Sequence, residues 1–195
     1  MSTLATVLRR AALVLTALFA VGGLLFALGY AWDDPGGWTA LLLTLATAVP
    51  LIGLTWLAYR SHELATKILI GLVVLFAAYA VTTTVFLEVR GLPVIPNIAL
   101  IVALPVAVVG QRHALRAGLL LLALAAVPLL EVIVRMVRET DGAPFGALLG
   151  GSTGVVIVPL AVLGALFLVA AALGGQQAEA GRHRIQQPPR PATQH

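Results

Sequence analysis

Cysteine is absent from all 195 residues, which excludes disulfides, thiolate metal sites and thiol nucleophiles. Charge is scarce too. Only 10% of the residues are Asp, Glu, Lys or Arg, against roughly 25% in soluble domains. The chain also lacks a basic stripe with interleaved aromatics, so its pI of about 10.3 carries no nucleic-acid signature. No nucleic-acid partner is expected.

What fills the chain is apolar: 60% of the residues are hydrophobic and the mean hydropathy is +1.02. Six long apolar runs cover approximately 11–31, 38–59, 68–87, 95–110, 117–134 and 145–173. A helix needs roughly 20 mostly apolar residues to cross a hydrocarbon core of about 30 Å. The reading is therefore all-α, a polytopic membrane protein with a bundle of six transmembrane helices in residues 1–173. The segment 174–195 turns to Gln, Pro, Gly and Arg and predicts a disordered cytoplasmic tail. Nothing remains from which to build a soluble catalytic domain.

Basic residues set the expected orientation. With the N-terminus inside, the inner segments hold Arg9, Arg10, Arg60, Lys67, Arg112, Arg116, Arg182, Arg184 and Arg190, while the outer ones hold Arg90, Arg135 and Arg138. This bias predicts both termini on the cytoplasmic side of a cell membrane. The fourth run tests that count, because 16 residues make only about 24 Å of helix. A re-entrant fourth segment would divide the basic residues evenly between the two sides, so six crossings fit the charges better. The start of the chain reads as a retained helix. Its apolar stretch after Arg9 and Arg10 runs well past the 7 to 15 residues, about, of a signal h-region, although Gly29-Tyr30-Ala31 offers a small-x-small pattern.

Three proline motifs raise a repeat reading. Ala48-Val49-Pro50-Leu51, Ala103-Leu104-Pro105-Val106 and Ile157-Val158-Pro159-Leu160 fall in the second, fourth and sixth runs, followed by Gly53, Gly110 and Gly164. Three tandem helical hairpins would give this spacing. So would the packing of six spans into a short chain, and Pro128 in the fifth run breaks the pattern. Mid-span prolines predict kinks under either reading.

Polar residues within the runs concentrate in their outer halves, and two readings of them stand open. One is an outward-facing polar pocket built from Thr83, Thr84, Glu88, Glu131, Arg135 and Ser152 on the third, fifth and sixth helices. The other is hydrogen bonding between helices, worth about 0.6 to 2 kcal/mol per contact, with Glu131 and Arg135 forming an interfacial i, i+4 pair. Gly146, Gly150 and Gly154 recur every four residues and predict a helix-packing stripe. A broken helix offering its amides to an anion is the sharper alternative.

Catalytic chemistry finds no constellation. Gly150-Gly151-Ser152-Thr153 invites comparison with an intramembrane serine protease, but a serine nucleophile needs a base within hydrogen-bond reach. His62, His113, His183, His195 and Lys67 all belong to inner segments. Neither a paired His and carboxylate motif nor two intramembrane aspartates occur. His62 and His113 share a side and could ligate a metal or haem, yet loop histidines are ordinarily solvated. No catalytic, metal or cofactor residue is expected.

The outer turn from Ala31-Trp32-Asp33-Asp34 through Pro35-Gly36-Gly37-Trp38 reads as a hairpin anchored by tryptophans at headgroup level. Together with Ala48-Val49-Pro50-Leu51 and the stretch from Trp56 to Arg60, it resembles uncharacterised small multi-pass membrane proteins of GC-rich bacteria, a family with no assigned activity. The resemblance covers mainly the first two helices and implies a bacterial inner membrane. Eleven arginines against one lysine fit such a genome. The functional expectation is a structural, assembly or regulatory membrane protein whose partners are the lipid bilayer and a protein partner or second copy. The alternative is a transporter or binding protein for a small molecule or lipid, using the outward pocket.

Overall fold

Backbone amides and carbonyls have no water to bond in hydrocarbon, so each apolar run must satisfy its own polar groups by coiling into a helix. The computed structural model describes residues 3–33, 37–83, 94–138 and 152–186. Among them every regular element is helical: α1 (Thr3–Asp33), α2 (Gly37–Arg60), α3 (His62–Val81), α4 (Val94–Gly110), α5 (Ala114–Arg138) and α6 (Ser152–Gln186). Five stretches are long and apolar enough to cross a membrane: Leu4–Leu25, Gly37–Arg60, His62–Val81, Ala114–Val134 and Val156–Gly175. Within α4 the corresponding apolar stretch is the shorter Ile101–Gly110.

The short helix is the central one. α4 packs against all five others, and Val102, Ala103, Val106, Ala107 and Val109 are buried on every side of it. Around it the core gathers Leu69, Val73 and Phe76 of α3, Leu121 and Leu124 of α5, and Leu160, Leu163 and Phe167 of α6. The hydrogen bond from Gln111 Nε2 to the Arg9 carbonyl, 2.8 Å long, places the end of α4 beside the start of α1. The helices consequently alternate in direction, and the Arg9 end of the bundle also holds the α2–α3 and α4–α5 turns.

Those two turns are tighter than the run boundaries suggest. Ser61 alone separates α2 from α3; its amide donates to the Leu57 carbonyl at 2.8 Å and its carbonyl accepts from the Ala65 amide at 2.9 Å. Lys67, expected in a loop, therefore lies in the second turn of α3. Between α4 and α5, Gln111 and His113 donate back to the carbonyls of Val108 and Val109, which closes the turn with backbone bonds. At the opposite end Gly37 opens α2 with φ of +58°, a left-handed conformation that an L side chain adopts at a cost.

α6 runs across the boundary expected at Gly174 and continues to Gln186. Its 35 residues make about 52 Å of helix, well beyond the bilayer core. Gln, Ala, Glu and Arg after Gly175 are good helix formers, and a helix already nucleated in the membrane needs only propagation to extend through them.

Candidate functional site

Of the residues expected to line an outer pocket, Thr83 is described with its side chain. It is buried at the end of α3, where a wider, π-type turn includes Thr82 and Thr83. Its hydroxyl donates to the Tyr79 carbonyl at 2.9 Å and to that of Ala80 at 3.1 Å. Thr84 and Glu88 lie outside the described residues. Glu131 and Arg135 are placed in the last turns of α5, and Ser152 opens α6, but only their backbone positions are described. The ends of α3, α5 and α6 opposite Arg9 are therefore located, whereas a pocket among their side chains is not.

The other threonines of the spans behave alike. Thr16, Thr44, Thr47, Thr55, Thr66 and Thr82 each donate to the carbonyl four residues earlier, at 2.6 to 2.8 Å. The expectation of hydrogen bonds between helices is corrected for these residues. A hydroxyl in hydrocarbon finds its nearest acceptor one turn back in its own helix, so neither a neighbouring helix nor water is needed to satisfy it.

The expected packing stripe lies mostly beyond the described residues. Gly146 and Gly150 lie outside the described residues, and Gly154 is buried in α6. Among the described glycines, a close backbone approach occurs farther along the same helix. A Cβ on Gly118 of α5 would sit 2.9 Å from the Gly164 carbonyl oxygen of α6, and a Cβ on Gly164 would sit 3.1 Å from the Gly118 oxygen. Gly110, at the end of α4, leaves room for the Phe167 ring, which would be 2.5 Å from an added Cβ. Gly110 and Gly164 had stood out as followers of the proline motifs. Their role is steric, and Gly118 carried no sequence signal beyond its type.

Prolines 50, 105, 128 and 159 all lie inside helices. Pro105 and Pro128 are fully buried, while Pro50 is exposed and Pro159 half-buried. The three repeat-like prolines thus occupy unlike surroundings.

A polar cluster assembles at the Arg9 end. The Arg9 side chain lies across Gly174 of α6, with Nη2 at 2.9 Å from where a Cβ would project. Gln111 holds the Arg9 carbonyl. Arg9 Nε and His62 Nδ1 are buried and have no hydrogen-bond partner within the protein among the described residues. Arg112 and His113 of the α4–α5 turn lie within electrostatic reach of His62, so the two turns face one another. Among the described residues no group of three or more His, Asp or Glu could hold a metal ion.

Below these turns α2 and α4 leave an apolar groove of about 420 Å³. Leu51, Ile52, Thr55, Trp56 and Tyr59 form one wall, and Leu104 and Val108 the other. The Thr55 hydroxyl is turned back to the Leu51 carbonyl at 2.6 Å and so is not offered to the groove. At its end the Arg60 guanidinium stacks over Trp56, 5.9 Å from the ring centroid, within range of a cation–π attraction. No family model matches the chain, and comparison with curated proteins and with solved structures found no match.

Proposed function

We propose that this chain is a cell-membrane protein of six spans, with both termini cytoplasmic, that acts as a structural, assembly or regulatory partner and not as an enzyme. The carrying observation is the uneven burial of its helices. Only 11% of the α2 span is buried, against 41% in α5 and 39% in α6. Trp38, Leu42, Leu45 and Val49 form one exposed apolar stripe along the first half of α2. Such a helix draws its lateral packing from outside the bundle, and helix association in lipid rests on that packing.

Several features support the topology. Arg9, Arg10, Arg60, Lys67, Arg112 and Arg116 all belong to one end of the bundle, as expected of a cytoplasmic face. α4 ends at that face beside Arg9, while α3 leaves it. Its 17 residues reach about 25 Å, and neighbours on every side reduce its need to match the full bilayer thickness. The resemblance to small multi-pass proteins of GC-rich bacteria extends this proposal to a bacterial inner membrane.

Because the chain has no cysteine, single cysteines test both parts. Asp33→Cys should react with an impermeant thiol reagent in intact cells, and Ser61→Cys should not; the reverse pattern overturns the orientation. Leu42→Cys, Leu45→Cys and Val49→Cys should form oxidative cross-links in native membranes, to a second copy or to a partner carrying a thiol, or should yield photo-adducts after labelling with a thiol-reactive cross-linker. An α2 stripe that yields only lipid adducts defeats the partner reading. The π-type turn at buried Thr83 favours, as a second reading, a small-molecule or lipid transporter or binding protein with an outward pocket, since such turns recur at functional sites. A stoichiometric ligand in native mass spectrometry, lost in Thr83→Val or Glu131→Gln, would decide for it.

A further inference from the structure

We propose that the groove between α2 and α4 is a binding site for an anionic phospholipid of the leaflet at the Arg9 end, its acyl chain in the groove and its phosphate between Arg60 and Arg112. This concerns the second half of α2 and does not depend on a protein partner along the first half.

The groove has the dimensions of a chain in one leaflet. From Leu51 to Tyr59 it follows about 12 Å of helix, close to the half-thickness of roughly 15 Å of a hydrocarbon core. Its floor lies at Leu51 and Leu104, each adjacent to a mid-helix proline, Pro50 or Pro105. Proline removes one helical hydrogen bond and bends the helix, which gives two parallel helices a reason to part beyond that point.

The mouth of the groove is polar and positive. Both walls end in the tight turns at Ser61 and at Gln111 to His113. Arg60 is held over Trp56, itself a groove residue. Arg112 stands one turn beyond Val108, in the turn that ends the α4 wall, so it belongs to the same mouth from the α4 side. His62, next to the Ser61 turn, has a buried Nδ1 with no hydrogen-bond partner among the described residues. Arg9, Arg10, Lys67 and Arg116 surround this end, where Glu63 is the one carboxylate among the side chains described. Trp56 and Tyr59 mark the depth at which aromatic rings meet the headgroups. An apolar slot that opens into a cationic mouth at headgroup depth is complementary to a lipid carrying net negative charge. A second copy of this chain would have to present a carboxylate at the same depth.

The test uses the full chain with Trp32→Phe and Trp38→Phe, which leaves Trp56 as the only tryptophan. The protein is reconstituted in phosphatidylcholine vesicles containing equal mole fractions of either dibrominated phosphatidylglycerol or dibrominated phosphatidylcholine. Trp56 fluorescence should be quenched more effectively by the brominated anionic lipid, by about five-fold in apparent affinity for each arginine engaged. Arg60→Gln and Arg112→Gln should each reduce the preference, and together bring it near parity, while Lys67→Gln leaves it unchanged. Should an arginine variant fail to fold, competition in the unaltered mouth replaces it: unbrominated phosphatidylglycerol relieves the quenching and unbrominated phosphatidylcholine does not. Equal quenching by the two lipids overturns the proposal. So does an equal loss in Lys67→Gln, which would make the effect diffuse surface charge. Protection of Trp56 from both lipids would mean that a protein helix covers the groove.

Discussion

α5 and α6 meet backbone to backbone, whereas α2 rests on the bundle by a few small residues. At the first interface Gly118 and Gly164 face each other so closely that an added methyl group would touch the opposite carbonyl. On α2 the buried residues are Ala40, Leu51 and Ala58, and Gly53 faces open space. Each of the three helices contains an apolar stretch long enough to cross a membrane. In lipid, burial of apolar surface against protein or against acyl chains differs little in transfer energy, so stability follows steric fit and not hydrophobicity. The seam between α5 and α6 is where this chain holds itself together; α2 is where it meets its surroundings.

Substitutions that challenge this contrast should rank by depth of packing. Phe167→Ala removes a fully buried ring at the junction of α4, α5 and α6 and should lower stability by about 3 kcal/mol, read by denaturant or thermal unfolding in detergent. Gly118→Ala should cost about 2 kcal/mol in the same assay, because its Cβ meets a backbone oxygen that cannot rotate away. Gln111→Leu should cost about 1 kcal/mol through loss of its hydrogen bond to the Arg9 carbonyl between α1 and the α4–α5 turn. Gly53→Ala should have the opposite sign and stabilise by about 0.5 kcal/mol, since the new methyl meets nothing and the helix gains propensity. If Gly53→Ala destabilised as much as Gly118→Ala, α2 would be packed against something inside the isolated protein and the contrast would collapse.

Much of the architecture was legible from run lengths. The runs at 38–59 and 117–134 coincide closely with α2 and with the apolar part of α5. Boundaries failed where polar residues continued a helix. His62, Glu63 and Lys67 belong to α3, and the polar residues after Gly175 extend α6, because hydropathy marks where a helix leaves the membrane and not where it ends. The site was less legible. The outer threonines looked like a wet lining, yet those described satisfy themselves within their own helices. Arg60 and Arg112 counted only as topological charges, since the groove whose walls precede them exists only because α2 lies beside α4.

By itself the sequence determined the helical class, the alternation of the spans and the bias of basic residues toward one end, because each follows from local chemistry: backbone groups that must bond within a segment, and charges that stay in water. Tertiary structure decided that α4, short among the described helices, is the centre, that Gly118 and Gly164 meet backbone to backbone, and that α2 and α4 leave an apolar groove between them. Those choices depend on which apolar surface fits which. Lipid and protein are equally apolar neighbours, so a hydropathy pattern cannot distinguish a side chain that faces one from a side chain that faces the other.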